Sequence, residues 1–371
     1  LDEVQKKFTA HVSTASLMQI NEEKYFLLRD GIPVTVKRPD GRTEIRSAAV
    51  IDFKNPENNH FLAVKEMKIH SQLYRRRTDI VGFVNGIPLL FIELKKPTVD
   101  VQNAYIDNYR DYLDTIPQLF YYNAFLMLSN GLEAKVGTLG SKYEFFHEWK
   151  RLKESDAGSV ELKTMLQGIC EKKTFLDLLE NFILYDHSGG RTTKILARNH
   201  QYLGVNEAVK AYEARKLNNG KLGVFWHTQG SGKSLSMVFY AHYLQEALES
   251  PTIVVITDRN DLDDQLYGQF ARCKDFLRQT PQHAESRKNL KELLANRQAN
   301  GIIFTTMQKF EESNEALSER RNIIVMADEA HRGQYGLNEK VVVKQKDNGE
   351  VEAKTVIGTA RIIRDTLPNA C

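Results

Sequence analysis

Short apolar runs broken by turn residues fill the first 140 or so residues. Their spacing predicts strands at Tyr25–Leu28, Phe61–Lys65, Asp79–Val84, Ile87–Leu94 and Ala124–Ser129, because apolar runs of this length bounded by Gly, Pro, Asn or Asp fit half-buried or buried strands. A helix is predicted over Asn103–Leu113, ending before Pro117. Strands and a helix in this order imply an α/β domain built on a mixed sheet. Between residues 141 and 198 the apolar positions Phe175, Leu178, Leu179 and Phe182 recur at helical spacing, which predicts a helical connector. From residue 199 the pattern changes. Strand-like runs Gly223–Trp226, Thr252–Thr257, Gly301–Thr305 and Asn322–Ala327 alternate with longer helical segments. That alternation predicts a mostly parallel sheet with helices on both faces, with ligands gathered outside the carboxyl ends of the strands. The expected domains are 1–140, 141–198 and 199–371.

Composition narrows the class. The chain has 371 residues, 42% hydrophobic and 27% charged, as expected of a soluble globular protein of two or three domains. No apolar run reaches 18 residues, so no membrane span is predicted. The acidic, polar start Leu1-Asp2-Glu3 does not read as a signal peptide, and the missing initiator Met implies residues upstream. Cys170, Cys273 and Cys371 are scattered, without the spacing of a disulfide framework or a zinc site, which fits a reducing cytoplasm. A net charge of +3 is too small to imply nucleic acid by itself.

Local chemistry is more specific. The apolar run at 222–226 is followed by His227-Thr228-Gln229-Gly230-Ser231-Gly232-Lys233-Ser234 and then an apolar helix. Gly230 and Gly232 allow a sharp turn whose N–H groups point inward around phosphate. The helix start adds its positive end. Lys233 can reach the β and γ phosphates of ATP, and Ser234 can place its hydroxyl on Mg2+. His227 stands where the first Gly of this motif is usual. A second buried strand delivers Asp328-Glu329-Ala330-His331. Asp328 is the expected metal carboxylate, Glu329 the expected base for the attacking water, and His331 a sensor of the γ phosphate.

In the first domain, Asn85-Gly86 between two apolar runs signals a hairpin. A strict two-residue loop would pair Asp79 with Ile92 and send Glu93 to the other face. A three-residue loop, Val84 to Gly86, pairs Asp79 with Phe91 and leaves Glu93 diagonal to Asp79 on the same face, with Lys95 beside it. The bulged, three-residue form is predicted. Two carboxylates and a lysine so placed make a site for Mg2+ and a polarised phosphodiester, with Asp79 and Glu93 as ligands and Lys95 positioning water or stabilising charge. An ordinary solvated hairpin is the alternative for the spacing taken alone. Arg75, Arg76 and Arg77, with Lys65, Lys68 and Lys96, form a basic approach suited to phosphate contacts, or a solvated face.

These motifs carry resemblances. The Gly-Ser-Gly-Lys-Ser turn and the Asp-Glu-Ala-His box resemble those of superfamily 2 helicases and translocases. That likeness implies an adenine-reading role for Gln201, phosphate-loop roles for Gln229 and Ser231, and nucleic-acid backbone contacts from Arg259 and Thr306. Asp79 with Glu93-Leu94-Lys95 resembles the core of the restriction-nuclease superfamily, with Thr78 where Pro is often found. More closely, residues 76–97 and 116–123 resemble the motor subunit of type I restriction enzymes. There a Gln-x-x-x-Tyr element follows the hairpin, and here Asn108 and Tyr112 occupy those places.

The resemblance covers nearly the whole chain. It implies a restriction-nuclease-like mixed-sheet domain, a connector and a RecA-like first motor lobe, with the second lobe absent and ATPase activity of the fragment weak. It further implies an ATP-dependent translocase and endonuclease that cuts unmodified double-stranded DNA away from its recognition site, using ATP and Mg2+, with methylation and specificity subunits as partners. The alternative is a superfamily 2 helicase or remodeller with an inactive nuclease-like domain.

Overall fold

The computed structural model describes residues 2–246, 250–257, 260–311, 315–328, 339–345, 351–357 and 359–371. The chain divides into two units, Leu1–Leu203 and Gly204–Cys371.

The first unit opens with α1 (Asp2–Thr9), α2 (Leu17–Asp30) and a hairpin of β1 (Ile32–Lys37) and β2 (Thr43–Ala48). There follow β3 (Phe61–Lys65), a short ribbon of β4 (Lys68–His70) and β5 (Arg75–Arg77), then β6 (Ile80–Val84) and β7 (Ile87–Leu94). A π-helix (Ala104–Tyr109) runs into α3 (Arg110–Thr115), and β8 (Phe125–Ser129) and β9 (Ala134–Gly137) follow. The five-stranded sheet has the order β3-β6-β7-β8-β9 and is antiparallel except for the parallel pair β7–β8, so it is mixed. The π-helix and α3 form the crossover that a parallel pair requires. Together with the 3-10 turn Pro117–Phe120 that follows, they bury Tyr109, Tyr112, Ile116 and Phe120 against Val81, Phe91, Leu126 and Leu128 of the sheet.

After β9 come α4 (Leu162–Ile169), α5 (Lys172–Asn181), a hairpin of β10 (Ile183–Asp186) and β11 (Thr193–Leu196), and α6 (Asn199–Glu213). Phe175 of α5 meets Phe125 at 5.2 Å and Phe61 at 6.5 Å between ring centroids. Residues 141–198, expected to be helical, thus hold two helices and a β-hairpin and fall within the first unit.

The strand expected at Tyr25–Leu28 is instead the last part of α2. Ser16 and Gln19 close a reciprocal capping box at its start. Ile20, Asn21, Lys24, Tyr25 and Leu28 are buried at spacings of three and four residues, the period of a helix.

The second unit continues with α7 (Lys233–Glu246), β12 (Thr252–Thr257), α8 (Asn260–Arg272), α9 (Lys274–Leu277), β13 (Gln282–His283), α10 (Arg287–Ala295), β14 (Ile302–Thr306), α11 (Gln308–Glu311) and β15 (Ile323–Ala327). A hairpin of β16 (Glu339–Gln345) and β17 (Val351–Ile357) precedes α12 (Thr359–Thr366). The sheet is parallel throughout, in the order β13-β14-β12-β15. Helix α10 and residues Phe310 and Leu367 cover one face.

The strand expected at Gly223–Trp226 is not formed. Residues 221–228 take no regular structure, and Val224 and Trp226 are 88% and 83% exposed. Gly223 has φ 107°, outside the extended region. Phe225 stacks on His227 at 4.6 Å and lies where a Cβ on Gly204 would collide with it. Backbone groups of β15 are engaged by Cys371, which accepts from Val325 N at 2.8 Å and donates to Ile323 O at 2.9 Å.

Candidate functional site

The hairpin that carries Asp79 and Glu93 differs from expectation in its register. The loop has two residues, Asn85 and Gly86, with φ of 51° and 81°, the left-handed pair of a type I′ turn. Val84 faces Ile87 and Phe83 faces Pro88, but Gly82 then faces Leu90. Leu89 is the extra residue of a bulge. Pro88 has no N–H to give to the ladder, which is why the irregularity falls there. Beyond it Ile80 faces Ile92, so Asp79 stands level with Glu93. The expected pairing of Asp79 with Phe91 is therefore corrected. The two carboxylates still share a face, because the register moves by one residue in the other direction.

That face is the core face of the sheet. Val81 and Phe91 pack under the π-helix and α3, and Glu93 is only 3% exposed. One oxygen of its carboxyl, Oε2, is buried without a hydrogen-bond partner. Burial raises the Glu93 pKa from 4.5 to about 8, with the Asp79 charge adding and Lys95 and the Asp79 backbone N–H opposing. Asp79 Oδ2 accepts from Leu94 N at 2.7 Å, which aims the carboxyl across the strand pair.

Lys95 Nζ donates to Asn108 Oδ1. Asn108 Nδ2 reaches the Tyr112 hydroxyl at 3.5 Å, and that hydroxyl donates to Arg77 O at 3.0 Å. Burial raises the Tyr112 pKa, with the Asn108 contact opposing and the Glu93 and Asp79 charges adding. Asp79, Glu93 and Lys95 of the hairpin thus gather in one place with Asn108 and Tyr112 of the crossover helix. Among the described residues no group of three or more His, Cys, Asp or Glu side chains gathers. Two carboxylates, one with an unpartnered buried oxygen, fit Mg2+, which is ordinarily held by one or two carboxylates together with water and phosphate oxygens.

The three arginines separate. Arg75 and Arg77 are exposed, and Arg77 lies 3.6 Å from Glu66. Arg76 turns inward to Asp111 of α3, with bonds of 2.6 and 2.9 Å. Nothing in the sequence pattern singles out Asp111, because its pairing with Arg76 exists only once the ribbon lies against α3.

In the second unit, Gly230 and Gly232 have φ of 78° and 86°, so the turn at 229–232 uses the freedom of glycine. Gln229 precedes it, Ser231 N donates to Thr228 O at 3.3 Å, and α7 begins at Lys233 with Ser234 in its first turn. Lys233 Nζ reaches His227 O at 3.5 Å. Thr257 faces Thr306 in the parallel ladder, and Asp328 N donates to Ile256 O at 2.9 Å. Thr306 and Asp328 therefore lie at the carboxyl edge of the sheet, with the Thr306 side chain buried. Gln201 belongs to the first unit and is buried near the start of α6, where its Oε1 accepts from Arg198 N at 2.8 Å. Glu329, His331 and Arg259 lie outside the described residues.

A mixed restriction-nuclease-like sheet in one unit and a parallel RecA-like sheet in the other define a nuclease-type fold joined to a P-loop motor fold. Comparison with known proteins narrows this. Residues 1–145 match the family described as type I restriction enzyme R protein N terminus, and residues 200–371 match the SWI2/SNF2 ATPase family. The chain is 42% identical over 369 residues to the type I restriction enzyme HindI endonuclease subunit of Haemophilus influenzae, covering 94% of this chain and 34% of that protein. It is 33% identical over 348 residues to the putative type I restriction enzyme MjaIXP endonuclease subunit of Methanocaldococcus jannaschii, covering 84% and 32%. A Staphylococcus saprophyticus relative, the type I restriction enzyme SsaAORF53P endonuclease subunit, is 24% identical over 336 residues, covering 87% and 34%. The chain is homologous to the endonuclease subunits of type I restriction enzymes. It spans about a third of the length of these relatives. Among the described residues no helix is long and apolar enough to cross a membrane.

Proposed function

We propose that this chain is the DNA-cleaving and ATP-binding part of a type I restriction endonuclease. It acts in the cytoplasm on unmodified double-stranded DNA, in complex with methylation and specificity subunits. Residues 1–140 are the nuclease domain, 141–198 the connector and 199–371 the first motor lobe. The observation that carries this reading is the buried Glu93 carboxyl level with Asp79, with an oxygen left unpartnered. A carboxyl in that position is costly for folding alone, and it is explained by a cation that binds there in place of the proton.

Asp79 and Glu93 would hold Mg2+, which when bound supplies Lewis acidity and a more acidic water. Lys95 stabilises the charge that develops on the phosphate or orients the attacking water. Asn108 holds the Lys95 ammonium, and Tyr112 fixes Asn108 against the Arg77 backbone. Arg75, Arg77 and the residues Asn108 and Tyr112 form the DNA-facing surroundings, with Arg76 held back by Asp111 in their support.

In the motor unit the 229–232 turn and the start of α7 cradle the ATP phosphates, and Lys233 leaves the His227 carbonyl to reach them. Ser234 and Asp328 would hold the accompanying Mg2+, which when bound would neutralise phosphate charge. Glu329 activates water, His331 senses the γ phosphate, Gln201 reads adenine, and Arg259 and Thr306 touch the DNA backbone. The matches to endonuclease subunits and to an ATPase family support the pairing of the two activities.

The test is plasmid cleavage by the assembled enzyme carrying Asp79→Ala. Cleavage is expected to vanish while DNA-stimulated ATP hydrolysis persists. Undiminished cleavage would overturn the nuclease assignment and favour a motor with an inactive nuclease-like domain.

A further inference from the structure

The ribbon β4–β5 sorts its side chains by chemistry. Lys68 faces Arg77 and His70 faces Arg75, and all four are exposed. Ile69 faces Arg76 on the opposite side. There Ile69 packs on the core of the first unit and Arg76 grips Asp111. The alternation of a strand thus makes one face an anchor and the other a basic surface. Basic residues set directly across from one another disfavour the hairpin that carries them. Glu66 answers Arg77 at 3.6 Å, with both side chains more than 60% exposed, where the attraction is heavily screened. Folding does not account for this face, whereas a polyanion does.

Two further features identify the polyanion. The turn between the strands is closed by Ser71 N donating to Tyr74 O at 2.9 Å, and it presents Leu73 at 85% exposure. An apolar tip between two rows of basic residues matches a DNA groove, whose floor is base edges and whose walls are phosphates. The major groove admits a two-stranded β-ribbon. The ladder also runs on from the ribbon: Thr78 N donates to Met67 O at 3.0 Å and Glu66 N to Asp79 O at 2.8 Å. A duplex gripped by the ribbon is therefore held in register with Asp79.

We infer that β4–β5 enters a groove of duplex DNA, with Lys68, His70, Arg75 and Arg77 on the flanking phosphates and Leu73 at the groove floor. Arg76 and Asp111 position the ribbon and do not touch the DNA. The inference rests on reading Asp79 and Glu93 as the cleavage site.

The test is fluorescence anisotropy of this chain with a labelled duplex in Ca2+, over a series of salt concentrations, beside plasmid cleavage by the assembled enzyme. The exposed double variant Lys68→Ala/Arg75→Ala is expected to weaken duplex binding by about tenfold or more and to lower the slope of log K against log salt by about 2. Leu73→Ala is expected to weaken binding with the slope unchanged, because it removes no charge. Unchanged affinity and slope in the double variant, or binding of a single strand as tight as the duplex, would overturn the ribbon assignment. Cleavage that survives Asp79→Ala while the ribbon variants lose binding would overturn the cleavage site and leave the ribbon as a DNA contact.

Discussion

Glu93 holds a proton at neutral pH that most glutamates release. Its pKa in the folded chain, about 8, lies above the ordinary 4.5, so the folded state binds a proton that the unfolded chain gives up. Without divalent cations, stability is highest below about pH 4.5 as far as this group is concerned. It falls as pH rises from there to about 8, by a few kcal/mol at most. Thermal melts in EDTA at pH 5.5 and 8.5 should show this loss, and Glu93→Gln should flatten it. Mg2+ should restore stability at pH 8.5 in the unaltered chain and not in the variant.

Lys194 is the opposite case. Burial holds its pKa well below the ordinary 10.5, and it donates to Asn21 Oδ1 at 2.9 Å and Asn123 O at 2.6 Å. Both acceptors keep other donors, Tyr185 OH and Asn21 Nδ2. Lys194→Met should therefore be neutral or stabilising, since it removes a buried amine without orphaning a partner. A loss of more than about 2 kcal/mol in urea unfolding would contradict this.

At this scale the candidate residues were legible where chemistry is local in sequence: Asp79, Glu93 and Lys95 fall within one hairpin. Asp111 and Lys194 were not, because their roles depend on contacts across 35 and 173 residues.

Among the elements, the Asn85-Gly86 turn was readable and the bulge behind it was not. An Asn-Gly pair announces a hairpin, but the register beyond depends on where the ladder tolerates Pro88. The bulged Leu89 turns its carbonyl to β8, where it accepts from Ala124 N at 2.7 Å and Asn123 Nδ2 at 3.2 Å. Asn85 does more than turn the chain. Its side chain donates to Val50 O and Asn59 Oδ1, each at 2.9 Å, and accepts from His60 N at 2.8 Å. Asn85→Ala should cost about 2 kcal/mol, combining the left-handed backbone with lost hydrogen bonds. A urea midpoint lowered with an unchanged m value would show this. The hairpin β1–β2, with Pro39-Asp40-Gly41 at its turn, carried a readable turn signal and alternating apolar positions Ile32, Val34 and Val36 in β1, whereas the largely polar β2 offers no such pattern.

For the whole molecule, the alternation of strands and helices after residue 199 was enough to establish the parallel sheet. It overstated the strand count at Gly223–Trp226, because apolar content there does not correspond to pairing. Each unit carries its own candidate chemistry, so their variants should separate. Nucleotide at about a hundred times its dissociation constant should stabilise the motor unit by about 2.7 kcal/mol. Lys233→Ala should abolish that thermal shift, and Asp79→Ala should leave it intact.

The π-helix between β7 and α3 has a consequence for both packing and chemistry. One residue more than an ordinary helical turn rotates the downstream helix by about 100°. Ala104 and Tyr109 can then fill the core while Asn108 meets Lys95. Excising the half-exposed Ile106 would leave a sound helix in the wrong phase: either its upstream apolar residues would leave the interior, or its amide would leave the lysine.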